Sequence, residues 1–249
     1  MSEQHKSAWW ALGALLAVGM VAAAFVLGTQ FKNFRQPGTI TVKGLAEAPY
    51  QADVAQWEVG VSIWGADYGI AMNAAKAETD KLQAFLNRQG FMAADISVNP
   101  LRVNEHREEY RDDEGRYHTR RNGFVATQAL IVNSRDLPRI QQALAELQNL
   151  KAQNDAFTFE QPQYLLSNLE NIKRDLIAKA TADAQVRAEE FAKTGKVKVG
   201  MMRSASQGAF NILAANSSDN DDVDYGGTYD KRTVDKQVRL VVTIEYGID

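Results

Sequence analysis

Residues 53–64, Asp-Val-Ala-Gln-Trp-Glu-Val-Gly-Val-Ser-Ile-Trp (DVAQWEVGVSIW), decide the fold. In an extended chain Ala55, Trp57, Val59, Val61 and Ile63 fall on one side, and Gln56, Glu58, Gly60 and Ser62 on the other. Side chains alternate across a strand, so this is a strand with one face in a core and the other outside it. The apolar face needs another layer against it, and the next residues supply one. After Asp67, placed to cap a helix, Met72, Ala75, Thr79, Leu82 and Phe85 recur at three- and four-residue steps as far as about Gln89. That is an amphipathic helix, with Gly90 as its stop.

Outward from this pair the chain continues to interleave strands and helices. Thr39–Leu45 alternates and precedes the decisive strand. Asp95–Arg111 and Tyr117–Asn133, joined through Asp112-Asp113-Glu114-Gly115, read as one long β-hairpin. A helix follows Ser134 or Asp136, with Pro138 in its first turn and Ile140, Leu144 and Leu147 inward. Phe157–Leu166 reads as a strand that Pro162 assigns to an edge or a bulge. Ser167 and Glu170 have capping-box spacing for a helix to Thr194, with Leu169, Ile172, Leu176, Ala180, Ala184, Ala188 and Phe191 as its buried stripe and Gly195 as its stop. Val197–Ser204 is read as a strand, 205–232 as a polar surface loop, and Val234–Tyr246 as the closing strand. Hairpins dominate, so the fold class is α+β with a mixed or antiparallel sheet, long packed helices and one extended hairpin.

The N-terminus is of another kind. Ala8–Gly28 (AWWALGALLAVGMVAAAFVLG) carries no charge over 21 residues. As a helix at ~1.5 Å per residue it spans about 31 Å, the thickness of a bilayer's hydrocarbon core. Trp9 and Trp10 lie at one end, Leu16 and Phe25 within the run, and Phe31 and Phe34 beyond the other end. Aromatic rings favour the two interfaces. Residues 1–35 are therefore expected to be a membrane anchor with its flanks, and 39–249 the domain it tethers. A cleaved signal is the alternative, although its apolar core is ordinarily only ~7–15 residues. Lys6 against Lys32 and Arg35 favours a cytoplasmic C-terminus by counting, but long C-terminal domains translocate largely regardless of such charges.

Ile40-Thr41-Val42-Lys43-Gly44, Asp53-Val54-Ala55 with its strand, the helix segment Ala180–Glu189 (ATADAQVRAE) and the closing Val238–Tyr246 strand together resemble the SIMPL-domain family over residues 39–247. Ala46 and Pro49 stand where that family often has a second Gly and a Pro-Asp pair. The resemblance implies a bacterial cell-envelope protein linked with stress tolerance and able to assemble into large rings or cages. It implies export of the domain to the periplasm, which with the anchor above makes an inner-membrane tether the expectation, and it carries no catalytic residues.

Chemistry-bearing motifs are sparse. The formal charge is −3 without a basic tract, which argues against nucleic acid as a partner. With no cysteine there is neither a disulfide framework nor a thiolate zinc site. His5 precedes the apolar run, and His106 and His118 sit in charged hairpin arms. No nucleophile elbow, phosphate loop or zinc helix motif occurs. The acidic run Asp219–Asp224 fails the EF-hand spacing, because Tyr225 or Val223 occupies a required position. No catalytic, cofactor-binding or metal-ligating residue is assigned, and no small-molecule ligand is identified. The expected partners are a lipid bilayer and further copies of the chain.

The hairpin tip is the remaining candidate. Residues 105–121 hold six acids and five arginines. With Glu114 at the apex, Asp112 opposes Arg116 and Glu108 opposes Arg120. Arg107, Glu108, Asp112, Arg116 and Arg120 then either form a solvated, internally paired ribbon or a self-complementary surface for another subunit. Each 17-residue arm, at ~3.3 Å per residue, would reach about 56 Å, beyond the ~45 Å diameter of a domain of this size. The function expected is that of a non-enzymatic, membrane-tethered, self-assembling envelope scaffold. The alternative is a small-ligand binder or enzyme with 205–232 as a lid.

Overall fold

Trp57 explains why residues 54–65 become the centre of a sheet. Its ring is fully buried, and its one polar atom is satisfied by donating to the Glu160 carbonyl at 3.0 Å, so its burial leaves no unpaired donor. The computed structural model describes residues 13, 15–26, 28, 38–215, 217 and 227–248. In chain order the elements are β1 (Thr39–Gln51), β2 (Val54–Gly65), α1 (Tyr68–Arg88), a 3-10 turn (Ala93–Asp95), β3 (Ile96–Val98), β4 (Arg102–Arg111) and β5 (Tyr117–Ser134). They continue with α2 (Leu137–Lys151), β6 (Phe157–Phe159), β7 (Gln163–Leu165), α3 (Leu169–Gly195), β8 (Val199–Ala214) and β9 (Asp235–Ile248). The fold is mixed α+β.

The chain divides into two compact units, one holding 45–180 and 207–241, the other 1–44, 181–206 and 242–249. In the first, β2 pairs antiparallel with β5 from Ala55↔Ser134 to Gly65↔Phe124. A six-stranded sheet grows around that pair in the order β3-β5-β2-β6, with β4 also on β5 and β7 also on β2. One face carries the core: Trp57, Val59, Val61, Leu130 and Val132 lie with Leu82, Leu86, Ile140, Leu147 and Phe157 from α1, α2 and β6. Truncating a core side chain of this size costs roughly 2–5 kcal/mol. A second sheet has the order β1-β9-β8, and in the smaller unit Val42, Ala184, Ala188, Val242, Ile244 and Tyr246 are buried.

Several expectations are corrected. β1 continues past Leu45 to Gln51 although Pro49 lies within it; β1 is an edge strand, where a missing N–H is tolerated. The first hairpin arm is not one run. Asn99-Pro100-Leu101 interrupts it, and β3 and β4 pair with β5 separately, because Pro100 cannot donate to the ladder. Phe157–Leu166 splits into β6 and β7 around Pro162. Asp67 stands at the N-cap of α1 but makes no side-chain cap bond, whereas Asp136 does cap α2, accepting from Arg139 N at 3.1 Å.

The capping box at Ser167 does not form. Its N–H instead donates to Asp53 Oδ1 at 2.7 Å and its hydroxyl to Asp53 Oδ2. Partial burial works against the Asp53 charge, but these Ser167 hydrogen bonds prevail and hold its carboxyl below 3.8. α3 includes Gly195, and the left-handed residue that ends it is Lys196, at φ 56°. Phe191 is 64% exposed rather than buried; the stripe passes through Ala192. β8 runs ten residues beyond Ser204, so residues 205–214 are strand, not loop.

Residues 15–26 are helical with exposed apolar side chains, Leu16 and Phe25 among them. Among the described residues no helix is long and apolar enough to cross a membrane. Trp9, Trp10, Phe31, Phe34 and the acidic run 219–224 lie outside the described residues.

Gly123 is where the hairpin leaves the sheet. Its φ is +75°, and a Cβ there would stand 2.5 Å from the Gly65 carbonyl oxygen and 2.8 Å from Trp64 Nε1. Gly115, at φ +83°, has open space around it. Gly115→Ala should therefore cost only the left-handed strain, ~1–2 kcal/mol. Gly123→Ala should cost more, up to ~3 kcal/mol for a strained backbone position. Thermal unfolding of the two variants checks this; equal losses would show that the close approach at Gly65 is irrelevant.

Candidate self-association site

β4 and β5 stay in register from Arg102↔Thr127 to Glu105↔Phe124, then slip by a bulge and continue from Arg107↔Arg121 to Arg111↔Tyr117. β2 ends opposite Phe124. Beyond that point the ribbon has no third strand among the described residues, and its side chains are exposed or half-exposed on both faces. Among the described residues both outer edges of the distal ribbon are thus unpaired, the arrangement that invites another strand. Trp64 Nε1 donates to the Asn122 carbonyl at 2.7 Å and pins the ribbon's root.

The register sets Glu108 against Arg120 and brings Asp112 to Arg116. Glu108 opposes Arg120 in register and accepts from its Nη2 at 3.0 Å and from Asn122 Nδ2 at 3.1 Å. Asp112 organises the tip: it accepts from Arg116 N at 2.8 Å, Glu114 N at 3.0 Å and Arg116 Nε at 3.1 Å, and its Oδ2 lies 2.7 Å from His118 Nε2. The Arg116 N–H first, then the His118 ring, hold the Asp112 carboxyl below its ordinary 3.8. Arg116 also pairs with Glu114.

Arg107, by contrast, faces Arg121 across the ribbon, and both reach Glu105, at 3.4 and 3.7 Å. Arg111 stacks over Tyr117 and Arg120 over Tyr110, at 4.6 and 5.5 Å. His106 sits at the bulge, so the register does not bring it to His118, which stacks on Tyr110. Among the described residues no group of three or more acids and histidines is placed to hold a metal.

Two further features escaped the sequence reading. On the sheet face away from the helices, Ser62, Thr127 and Arg102 line up across β2, β5 and β4, and with Glu58 and Thr158 they border a cleft of about 490 Å³. The second is a buried lysine. Lys236 is fully buried, and its Nζ donates to Asp230 Oδ2 at 3.0 Å and to the Asp230 carbonyl. Asp230 also accepts from Thr233 Oγ1 and from the N–H groups of Arg232 and Thr233. Around it, Tyr164 N donates to Lys231 O at 2.8 Å, Leu166 N to Tyr229 Oη at 2.8 Å and Ala52 N to Val234 O at 2.9 Å. Residues 229–236 are therefore a clasp on the ends of β1, β2 and β7. The Asp230…Thr233 turn spacing was its only signal in the sequence.

With this geometry in view, the SIMPL family model, described as protein of unknown function, matches residues 40–246. The chain belongs to the SIMPL family. Comparison with curated proteins finds no match. The hairpin and the clasp both fall within the region that makes this a SIMPL protein.

Partial burial opposes the Asp230 charge, but hydrogen bonds from Thr233 and Arg232 and the Lys236 ammonium outweigh it and hold the carboxyl at about 2, against 3.8. A depressed carboxylate stabilises the fold above its unfolded value and loses that contribution as pH falls toward its folded one. The gap is worth ~2 kcal/mol. Stability should therefore drop between about pH 4 and pH 2, and less so in Asp230→Asn. Asp230→Ala should cost ~3–5 kcal/mol by leaving Lys236 buried without a carboxylate. Adding Lys236→Met should recover part of that loss. Urea unfolding across this pH range measures all three; an unchanged pH profile in Asp230→Asn would discard the clasp.

Proposed function

We propose that this SIMPL protein is a membrane-tethered scaffold of the bacterial cell envelope that assembles with copies of itself and catalyses no reaction. Its soluble part is periplasmic and its anchor is the apolar run 8–28 in the inner membrane. The observation that carries the reading is the distal ribbon, which extends past the end of β2 with both backbone edges free among the described residues. From Arg107 to Glu114, seven steps at ~3.3 Å reach roughly 23 Å. The tip charges are largely consumed within the ribbon, so attachment to a neighbour relies on backbone edges and on Tyr110 and Tyr117, which are 42% and 70% exposed. The exposed apolar side chains of 15–26 support the tether.

A second reading, small-ligand binding, draws on the cleft at Ser62, Arg102 and Thr127. It loses its expected lid in part, since residues 205–214 are strand and 229–236 are clasped.

Replacing Arg107–Arg121 by Asn-Gly should leave a folded protein of lower assembly mass in mild detergent, measured by light scattering. An unchanged mass, or a monomeric parent, would exclude the hairpin as the assembly element. Reporter fusions after Asp249 should be active only outside the cytoplasm, and the full chain should resist alkaline extraction.

A further inference from the structure

Four strand and helix ends converge at one end of the smaller unit. Ile248 N, closing β9, donates to the Gly38 carbonyl ahead of β1 at 2.9 Å. α3 ends there too, its last turn closed by Val197 N on the Ala192 carbonyl at 3.0 Å. The start of β8 lies alongside, with Arg203 packed over Gly247. Ile40, Thr41, Phe191, Gly195, Val197 and Ile248 line an open, mostly apolar cleft of about 420 Å³. Phe191 is 64% exposed and Met201 87% exposed. Phe191 stands at an open apolar cleft rather than alone, and it is contiguous exposed apolar surface of this kind that marks a contact site.

Charge at the same end narrows the choice of partner. From Phe191 to Arg203 the sequence is FAKTGKVKVGMMR, with Lys193, Lys196, Lys198 and Arg203 and no acid. All four are exposed, and none is ion-paired among the described residues. The nearest acids in sequence, Glu189 and Glu190, belong to the helix before it. Large apolar side chains set among several cations match an acidic phospholipid surface, whose headgroups take the cations and whose acyl boundary takes the rings and thioethers. Chain length supplies the proximity. The ten residues Thr29–Gly38 reach at most about 36 Å, so an anchor ending near Gly28 holds this end close to the bilayer.

We propose that the cleft end of the smaller unit, through Phe191, Met201, Lys193, Lys196 and Lys198, docks on the surface of an acidic-phospholipid bilayer beside its own anchor. This rests on the tether proposed above. It means that the tether sets the orientation of the smaller unit as well as its location, with α3's end facing lipid.

Because the chain has no cysteine, single labels are unambiguous. The full chain, as Phe191→Cys, Met201→Cys or Glu109→Cys, would carry an environment-sensitive fluorophore and be reconstituted in phosphatidylcholine vesicles with or without phosphatidylglycerol. Flotation after alkaline washing reports the anchor, and quenching by spin-labelled lipid reports the docking. The expected result is flotation of all three proteins. With phosphatidylglycerol present, positions 191 and 201 should be quenched and blue-shifted, and position 109 should be neither. High salt, or the added triple change Lys193→Gln, Lys196→Gln and Lys198→Gln, should abolish that quenching while flotation persists. Flotation without quenching at 191 and 201 overturns the docking and leaves the tether standing. Energy transfer between labels at 191 on different copies, without lipid quenching, assigns the patch to a second copy and likewise overturns it. Loss of flotation overturns the tether and the docking with it.

Discussion

The antiparallel pairing of β2 with β5 is the constraint on which the larger unit depends. Eleven consecutive residue pairs set which side chains of both strands face α1 and α2. Slipping that register by one residue would turn Trp57, Val59 and Val61 toward the open face and Glu58 into the core. The pairing is therefore specified by burial as much as by hydrogen bonds. Its length also fixes where support for β5 stops. β5 has 18 residues and β2 has 12, and the surplus becomes the free ribbon. Gly65 and Gly123 mark the join, one lacking a side chain where the other's backbone comes close.

That dependence explains which parts of the fold were legible in the sequence. β2, α1, α2 and the 112–116 turn announce themselves because their periodicity or turn chemistry is local. Glu108 and Arg120 could be matched across the ribbon once the apex was placed. What failed to show was decided by partners distant in sequence. Pro49 looks like a strand end but sits in an edge strand. Ser167 has the spacing of a cap, yet Asp53, from the segment between β1 and β2, takes its hydroxyl. Asp230 falls in the stretch read as a polar loop and Lys236 in the closing strand, and it is burial that joins them as an ion pair. Phe191 fell within the helical stripe by a single residue step, where Ala192 is the buried neighbour.

The candidate site was legible in its residues more than in its consequence. Five of the eleven charged residues at 105–121 were singled out as possible contacts for a neighbour, and all five are paired inside the ribbon. Exposed ion pairs of this kind stabilise weakly, typically by ~0–1 kcal/mol each. Several of them arranged around one carboxylate at Asp112 still define a turn. Their energetic role is to keep a long two-stranded ribbon extended in water, where an isolated hairpin is marginal.

In the proposed assembly, a ribbon kept straight by its own charges would be selective about what it pairs with. Free strand edges attach to any extended chain unless something guards them, and charge is the usual guard. Here the guard is partial. Arg107 and Arg121 face each other directly and share Glu105, while Glu109 and Asp113 have no ion pair among the described residues. A neighbour that presents an acid to the arginine pair and a cation to Glu109 or Asp113 gains where an arbitrary strand pays a like-charge penalty. A second copy of the same ribbon, laid antiparallel, carries both kinds of group. In the assembly proposed above, this distribution of charge would favour the ribbon's own sequence over foreign strands without requiring a large apolar surface.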